Sequence, residues 1–78
     1  MNSALKLYGR EYCGLCRMMR DELAALGVMP IWVDVDDDPA LEERYGELVP
    51  VLVAPGDRIL CHYHLDRTAL DAYLLEFR

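Results

Sequence analysis

A β-α-β pattern opens the chain, and it constrains the fold more than anything that follows. Ala4 to Tyr8 is a short apolar run, and Ile31-Trp32-Val33-Asp34-Val35 is a second one, rich in β-branched and aromatic residues. Both read as strands, short and apolar as strands covered on both faces are. Between them Cys16, Met19, Leu23 and Leu26 recur at helical spacing as a core-facing stripe, while Arg17, Arg20 and Asp21 fill other faces. Gly27 stands where a helix ends in a left-handed residue, and Val28 after it is placed to pack back on Leu23. A crossover helix of this length returns the chain in a right-handed sense, so the two strands are expected to be parallel.

The first strand-to-helix junction carries Tyr12-Cys13-Gly14-Leu15-Cys16. Two thiols three residues apart close a small disulfide ring, and a helix start favours negative charge through its unpaired N–H groups and its dipole. Cys13 is therefore expected to be the nucleophile, with Arg10 adding positive charge nearby. Cys16, one turn into the helix, points back toward the helix start and so toward Cys13. It is expected to resolve a mixed disulfide formed on Cys13. The plainer reading of Cys16, a core residue on the Met19/Leu23 stripe, is compatible with that role.

Composition sharpens what such a pair means. The chain has 78 residues, enough for one domain (1–78) with a single core that buries roughly 60% of the unfolded surface. It is 54% apolar and holds three cysteines, an odd number that does not suit a fully paired secreted framework. There is no leader-like segment and no run of about 18 apolar residues. The expectation is a cytoplasmic protein with reduced thiols, away from the membrane, in which C-x-x-C means redox or metal chemistry. The net charge is −6 and the eight Lys and Arg residues form no stripe, so nucleic acid is not an expected partner. The acidic residues Asp36 to Asp38 read as a solvated loop ending in a helix cap.

The remaining elements follow from local signals. Asp38-Pro39 supplies an N-cap with proline at the first helical position, and a short helix runs to about Tyr45 before Gly46. Val51 to Ala54 is a third strand, Pro55-Gly56-Asp57 a turn, and Arg58 to Cys61 or His62 a fourth strand, antiparallel to the third. Asp66 caps a last helix, with Leu65 and Leu70 as a hydrophobic staple and Leu70, Tyr73, Leu74 and Phe77 as its buried face. Met18, Met19 and Trp32 are expected in the core. The order is β-α-β-α-β-β-α, an α/β arrangement without repeats or linkers.

With that order, Cys13-Gly14-Leu15-Cys16 after the first strand and Val49-Pro50 opening the third, the chain resembles the thioredoxin superfamily, and within it small glutaredoxin-like proteins. The resemblance spans nearly the whole chain. It implies a thioredoxin-like, glutaredoxin-type fold: a four-stranded mixed sheet in the order 2-1-3-4, the first and third of three helices on one face and the second on the other. It also implies a cis Val49–Pro50 bond that sets the Val49 backbone beside the sulfur to pair with an extended substrate. Tyr12 and Leu7, where thioredoxins usually have Trp and a buried Asp, favour the glutaredoxin side. Arg10 stands where glutaredoxins commonly carry a Lys that helps hold a glutathione carboxylate, which makes Arg10, Tyr12, Val49 and Pro50 the candidate substrate-binding residues. Leu60-Cys61 aligns with the Gly-Gly pair that lets glutathione approach, and Gly14-Leu15 replaces the usual Pro-Tyr. Glutathione is thus a possible co-substrate that these departures speak against.

The expected activity is thiol–disulfide exchange that reduces protein or glutathione-mixed disulfides, on a disulfide-containing protein or small thiol substrate, by a monomer with no bound cofactor, recycled by a separate reductant system. Two other readings stand beside it. In one, Cys13 and Cys16 bind zinc with His62, His64 or Cys61, or share an iron–sulfur cluster with a second chain; His62-Tyr63-His64 lacks the usual zinc spacing. In the other, the chain is a quiet module that binds a partner along the Val49-Pro50 edge. If the third strand runs antiparallel to the first, Cys61, His62 and His64 lie on the active-site side of the sheet. The plainer reading makes Cys61 a packed strand residue and the histidines surface groups.

Overall fold

Apolar residues alternate along the strands so that the sheet offers a hydrophobic surface on both sides, and the helices cover both. The computed structural model describes residues 5–76. Strands β1 (Lys6–Gly9), β2 (Ile31–Asp34), β3 (Val51–Ala54) and β4 (Arg58–His62) form one sheet in the order β2-β1-β3-β4. β1 and β2 are parallel, while β3 is antiparallel to both β1 and β4. The helices are α1 (Gly14–Ala25), α2 (Pro39–Tyr45) and α3 (Arg67–Leu75), with a 3₁₀ turn at Val35–Asp37. This is the glutaredoxin-type arrangement expected from the sequence.

One side of the sheet holds the larger core. Leu5, Leu7, Leu52, Ala54 and Cys61 meet Met19 and Leu23 of α1 and Leu70 and Tyr73 of α3. The other side is smaller: Tyr8, Val51 and Val53 pack on Val35 and on Tyr45 of α2. Neighbours along β1 and β3 go to opposite sides, as strand geometry requires.

Caps set the helix ends. Cys13 caps α1, Asp38 caps α2 by accepting from the Ala40 N–H at 2.9 Å, and Asp66 caps α3 by accepting from the Ala69 N–H at 3.1 Å. α1 ends with Gly27 at φ +76, and the Val28 N–H donates to the Leu23 carbonyl at 2.9 Å. That closure brings buried Val28 back onto the helix as anticipated.

Several details differ from the sequence expectation. β1 spans Lys6–Gly9 rather than ending at Tyr8, and Ala4 lies outside the described residues, as does Phe77. β2 stops at Asp34, whose carboxylate accepts from the Asp36 N–H at 2.8 Å and turns the chain, sending Val35 into the smaller core. Leu26 is the C-cap of α1 and exposed, because the helix has completed its buried stripe at Leu23. Met18 is exposed as well, one position round the helix from fully buried Met19. Trp32 is only partly buried, against the edge of the larger core.

Candidate functional site

The site forms where β1 runs into α1. The Cys13 N–H donates to the Arg10 carbonyl at 3.2 Å, closing the loop, and the Cys13 carbonyl accepts from Arg17 to start the helix. Cys13 keeps extended backbone as the N-cap, and its Sγ accepts from the Cys16 N–H at 3.2 Å. The exposed first turn of α1 therefore aims a backbone donor at the outer sulfur. Cys13 is partly exposed and Cys16 wholly buried, both as free thiols.

Burial, and next a hydrogen bond with Cys13, push the Cys16 thiol up to about 12. The negative charge of Cys13 acts in the same direction, while a backbone hydrogen bond with Arg10 and the Arg10 charge oppose it. The two sulfurs thus differ: one is reachable with a donor on it, and the other is enclosed and held protonated.

Below them, Gly9 makes room. A Cβ there would lie 2.6 Å from the Trp32 ring and 3.0 Å from Cys16 Sγ, so only glycine lets the indole and the thiol close over the end of β1. The Arg20 guanidinium lies over the Trp32 ring, 4.6 Å from its centre.

The opposite wall is the start of β3. Val49–Pro50 is cis, Pro50 is fully buried, and Val49 precedes the paired residues of the strand. Tyr8, Val51 and His62 stand in one row across β1, β3 and β4. The loop bearing Cys13, the Val49-Pro50 segment and the end of β4 thus share one edge of the sheet. Beyond β4, Tyr63 adopts φ +66, a conformation that costs a non-glycine residue on the order of 1–3 kcal/mol. Its backbone N–H donates to the Pro50 carbonyl at 3.0 Å and its hydroxyl to the Glu47 carbonyl at 2.8 Å, so the residue straps the chain on both sides of Val49. The left-handed residue of this segment is Tyr63, whereas Leu60 and Cys61 belong to β4.

Arg10 is deeply engaged. Its guanidinium binds the Asp36 carboxylate, Glu42 Oε2 at 2.6 Å and the Gly46 carbonyl at 3.0 Å, joining the Cys13 loop to the 3₁₀ turn, to the middle of α2 and to its C-cap. The Glu42 bond is the main reason its pKa rises above the ordinary guanidinium value. Tyr12, by contrast, is 78% exposed beside Cys13, and Leu15 and Met18 continue an apolar rim along α1.

Cys61 is buried in the larger core opposite Leu52, and burial raises its pKa. His62 and His64 are exposed, and His62 stacks edge-on against Tyr63. No three His, Cys, Asp or Glu side chains converge to hold a metal among the described residues, so Cys13 and Cys16 are not joined there by Cys61, His62 or His64.

Gly9, the two carboxylates on Arg10 and the Tyr63 strap were not assigned to the site from sequence. Gly9 was visible only as a residue at a strand end, and Asp36 and Glu42 only as parts of an acidic stretch. Nothing local marks Tyr63 for positive φ.

A profile of the glutaredoxin-like domain (DUF836) matches residues 4–75. Among solved structures, the X-ray structure of the structural-genomics target XcR50 from X. campestris is 42% identical, covering 94% of this chain and 97% of that one with a TM-score of 0.76. The solution structure of protein Ne2328 from Nitrosomonas europaea is 36% identical, covering 88% and 87%, with a TM-score of 0.78. A buckwheat glutaredoxin–glutathione complex is 17% identical, covering 94% of this chain and 69% of that one with a TM-score of 0.61, a likeness of fold. A comparison with curated proteins finds no match.

Proposed function

The chain belongs to the glutaredoxin-like (DUF836) family, and from that membership and its unequal thiol pair we propose that it is a thiol–disulfide oxidoreductase. The observation that carries the reading is the asymmetry of Cys13 and Cys16: a partly exposed sulfur that accepts a helix N–H, next to a buried thiol held up to about 12.

The reaction runs in two exchanges. The Cys13 thiolate attacks a substrate disulfide, forming a Cys13–substrate bond and expelling one substrate thiolate, which takes up a proton. Cys16 then loses its proton and attacks Cys13 Sγ, releasing the second substrate thiolate and leaving Cys13–Cys16 oxidised. Two electrons pass from the dithiol to the substrate. Part of what raises Cys16 is its hydrogen bond with Cys13 and the Cys13 charge. Both are lost once Cys13 is in a mixed disulfide, so forming the intermediate itself makes the resolving proton easier to remove. Burial, the largest cause, persists and keeps Cys16 quiet in the resting protein.

Substrates are disulfide-containing proteins or small mixed disulfides. An extended segment is held against Val49, beside cis-Pro50, with the apolar rim of Tyr12 and Leu15 next to the sulfur. Recycling requires a thiol reductant.

The test uses the reduced protein and a chromogenic or fluorescent disulfide substrate. Turnover should vanish in Cys13→Ser, while Cys16→Ser should accumulate a Cys13–substrate adduct detectable by intact mass. Undiminished turnover without Cys13, or an adduct on Cys16 or Cys61 instead, sinks the assignment.

A further inference from the structure

The Arg10 guanidinium bonds to three groups of the protein, on Asp36, Glu42 and Gly46. We propose that Arg10 is a positioning residue: it locks the Cys13–Cys16 loop to α2, and it does not serve as the receptor of a substrate carboxylate. This deepens the oxidoreductase reading and rests on it for the substrate part alone.

The guanidinium fork is filled from three directions. Asp36 comes from the 3₁₀ turn, Glu42 from the middle of α2 and the Gly46 carbonyl from just beyond its end. Two carboxylates already face one positive charge, so an incoming carboxylate would meet a net negative cluster and would have to displace a bonded partner. The side chain is also only 16% exposed, which leaves little of it to greet a ligand. Charge-assisted bonds of this kind fix orientation as well as adding stability.

The main chain of the same residue holds the Cys13 turn. Its carbonyl accepts from the Cys13 N–H at 3.2 Å, which closes the turn placing Cys13 at the helix cap. Asp36, Glu42 and Gly46 therefore act on the dithiol through one residue. If the fork is removed, the loop is no longer tied to α2, and the enclosed sulfur should open more often.

Iodoacetamide labelling of the reduced full-length protein, read cysteine by cysteine by mass spectrometry, tests this without turnover. In Arg10→Met, Cys16 labelling should rise about tenfold, as an enclosed thiol opens more often, with Cys61 labelling unchanged. The Asp36→Asn/Glu42→Gln double variant should reproduce the rise, and Arg10→Lys, a point charge without the fork, should fall between. Circular dichroism melting identifies any variant that has lost its fold; the double variant and Arg10→Lys then carry the comparison. Unchanged Cys16 labelling in folded variants overturns the positioning role.

Substrate recognition is tested with two mixed disulfides that share a reporter thiol, one bearing glutathione and one bearing cysteamine, which has no carboxylate. The expected result is an equal fold-loss of kcat/KM on both in Arg10→Lys. A loss confined to the glutathione substrate overturns the proposal. If the wild-type protein reduces neither, the oxidoreductase reading has failed, and the labelling result still decides the positioning role.

Discussion

The two sides of the sheet are held by different physics. Under α1 and α3 lies a deep apolar core that includes Leu7, Leu23, Leu52 and Leu70, all fully buried. Under α2 the apolar cluster is smaller among the described residues, and the helix is only seven residues long. A helix so short is marginal alone. It is retained by Tyr45 stacked 4.5 Å from Tyr8, by the Asp38 cap and by the polar clamp on Arg10. Greasy contact is tolerant of small shifts and directional bonding is not. The first side should therefore govern whether the chain folds, and the second where the loop bearing Cys13 sits once it has folded.

The largest effect should come from the deep side. Leu52→Ala is expected to cost about 2–5 kcal/mol in urea unfolding, with the pattern of thiol labelling in the folded protein preserved. A comparable shift in Cys16 labelling would show that the two sides are not separable.

Gly9→Ala strikes the deep side where it meets the thiols, because the added methyl would press on both the Trp32 ring and Cys16 Sγ. It should cost about 1–3 kcal/mol by overpacking and also alter Cys16 labelling. If stability drops while Cys16 is untouched, the indole has given way and the thiol has not.

Alkaline pH offers a third test. The folded Cys16 thiol sits at about 12 against an ordinary value of 9.0. Above pH 9 the unfolded chain therefore sheds this proton while the folded one keeps it, and stability falls as pH rises from about 9 toward 12; below 9 the contribution is complete. At pH 10 the loss attributable to this thiol is at most about 1.4 kcal/mol. The reduced wild-type protein should lose more stability between pH 8 and about 10 than Cys16→Ala does. Parallel curves would mean that burial does not hold the thiol protonated.

The smallest effects compare caps across the sheet. Asp38→Ala and Asp66→Ala should each cost about 1 kcal/mol by thermal melting, since each carboxylate accepts one helix N–H. Only Asp38→Ala, which loosens the helix that anchors Arg10, should raise Cys16 labelling. Equal responses from both caps would break the proposed division of labour.

Much of this was legible in the residues. Periodicity placed α1, and its end at Gly27 and Val28 followed from the glycine and the apolar residue after it. The Asp38-Pro39 and Asp66 caps read directly, because a cap is a contact between residues two or three apart. The sheet order and the cis bond at Val49–Pro50 came through resemblance, which summarises a fold that local patterns alone do not specify. Helical spacing failed at Leu26 and Met18 because it describes a face, and how wide that face is depends on what packs against it.

By itself, the sequence determined the β-α-β start, the three helices and the pair Cys13 and Cys16 at a helix cap, all consequences of neighbours within one turn or one strand. Only the tertiary structure decided that Arg10 is spent on Asp36, Glu42 and Gly46, that Gly9 must stay bare beneath Trp32, and that Tyr63 turns left-handed to bridge Pro50 and Glu47. Those contacts join residues from about 13 to 36 positions apart, and which long-range partners a charge or a ring finds is fixed by sheet order and packing, not by spacing along the chain.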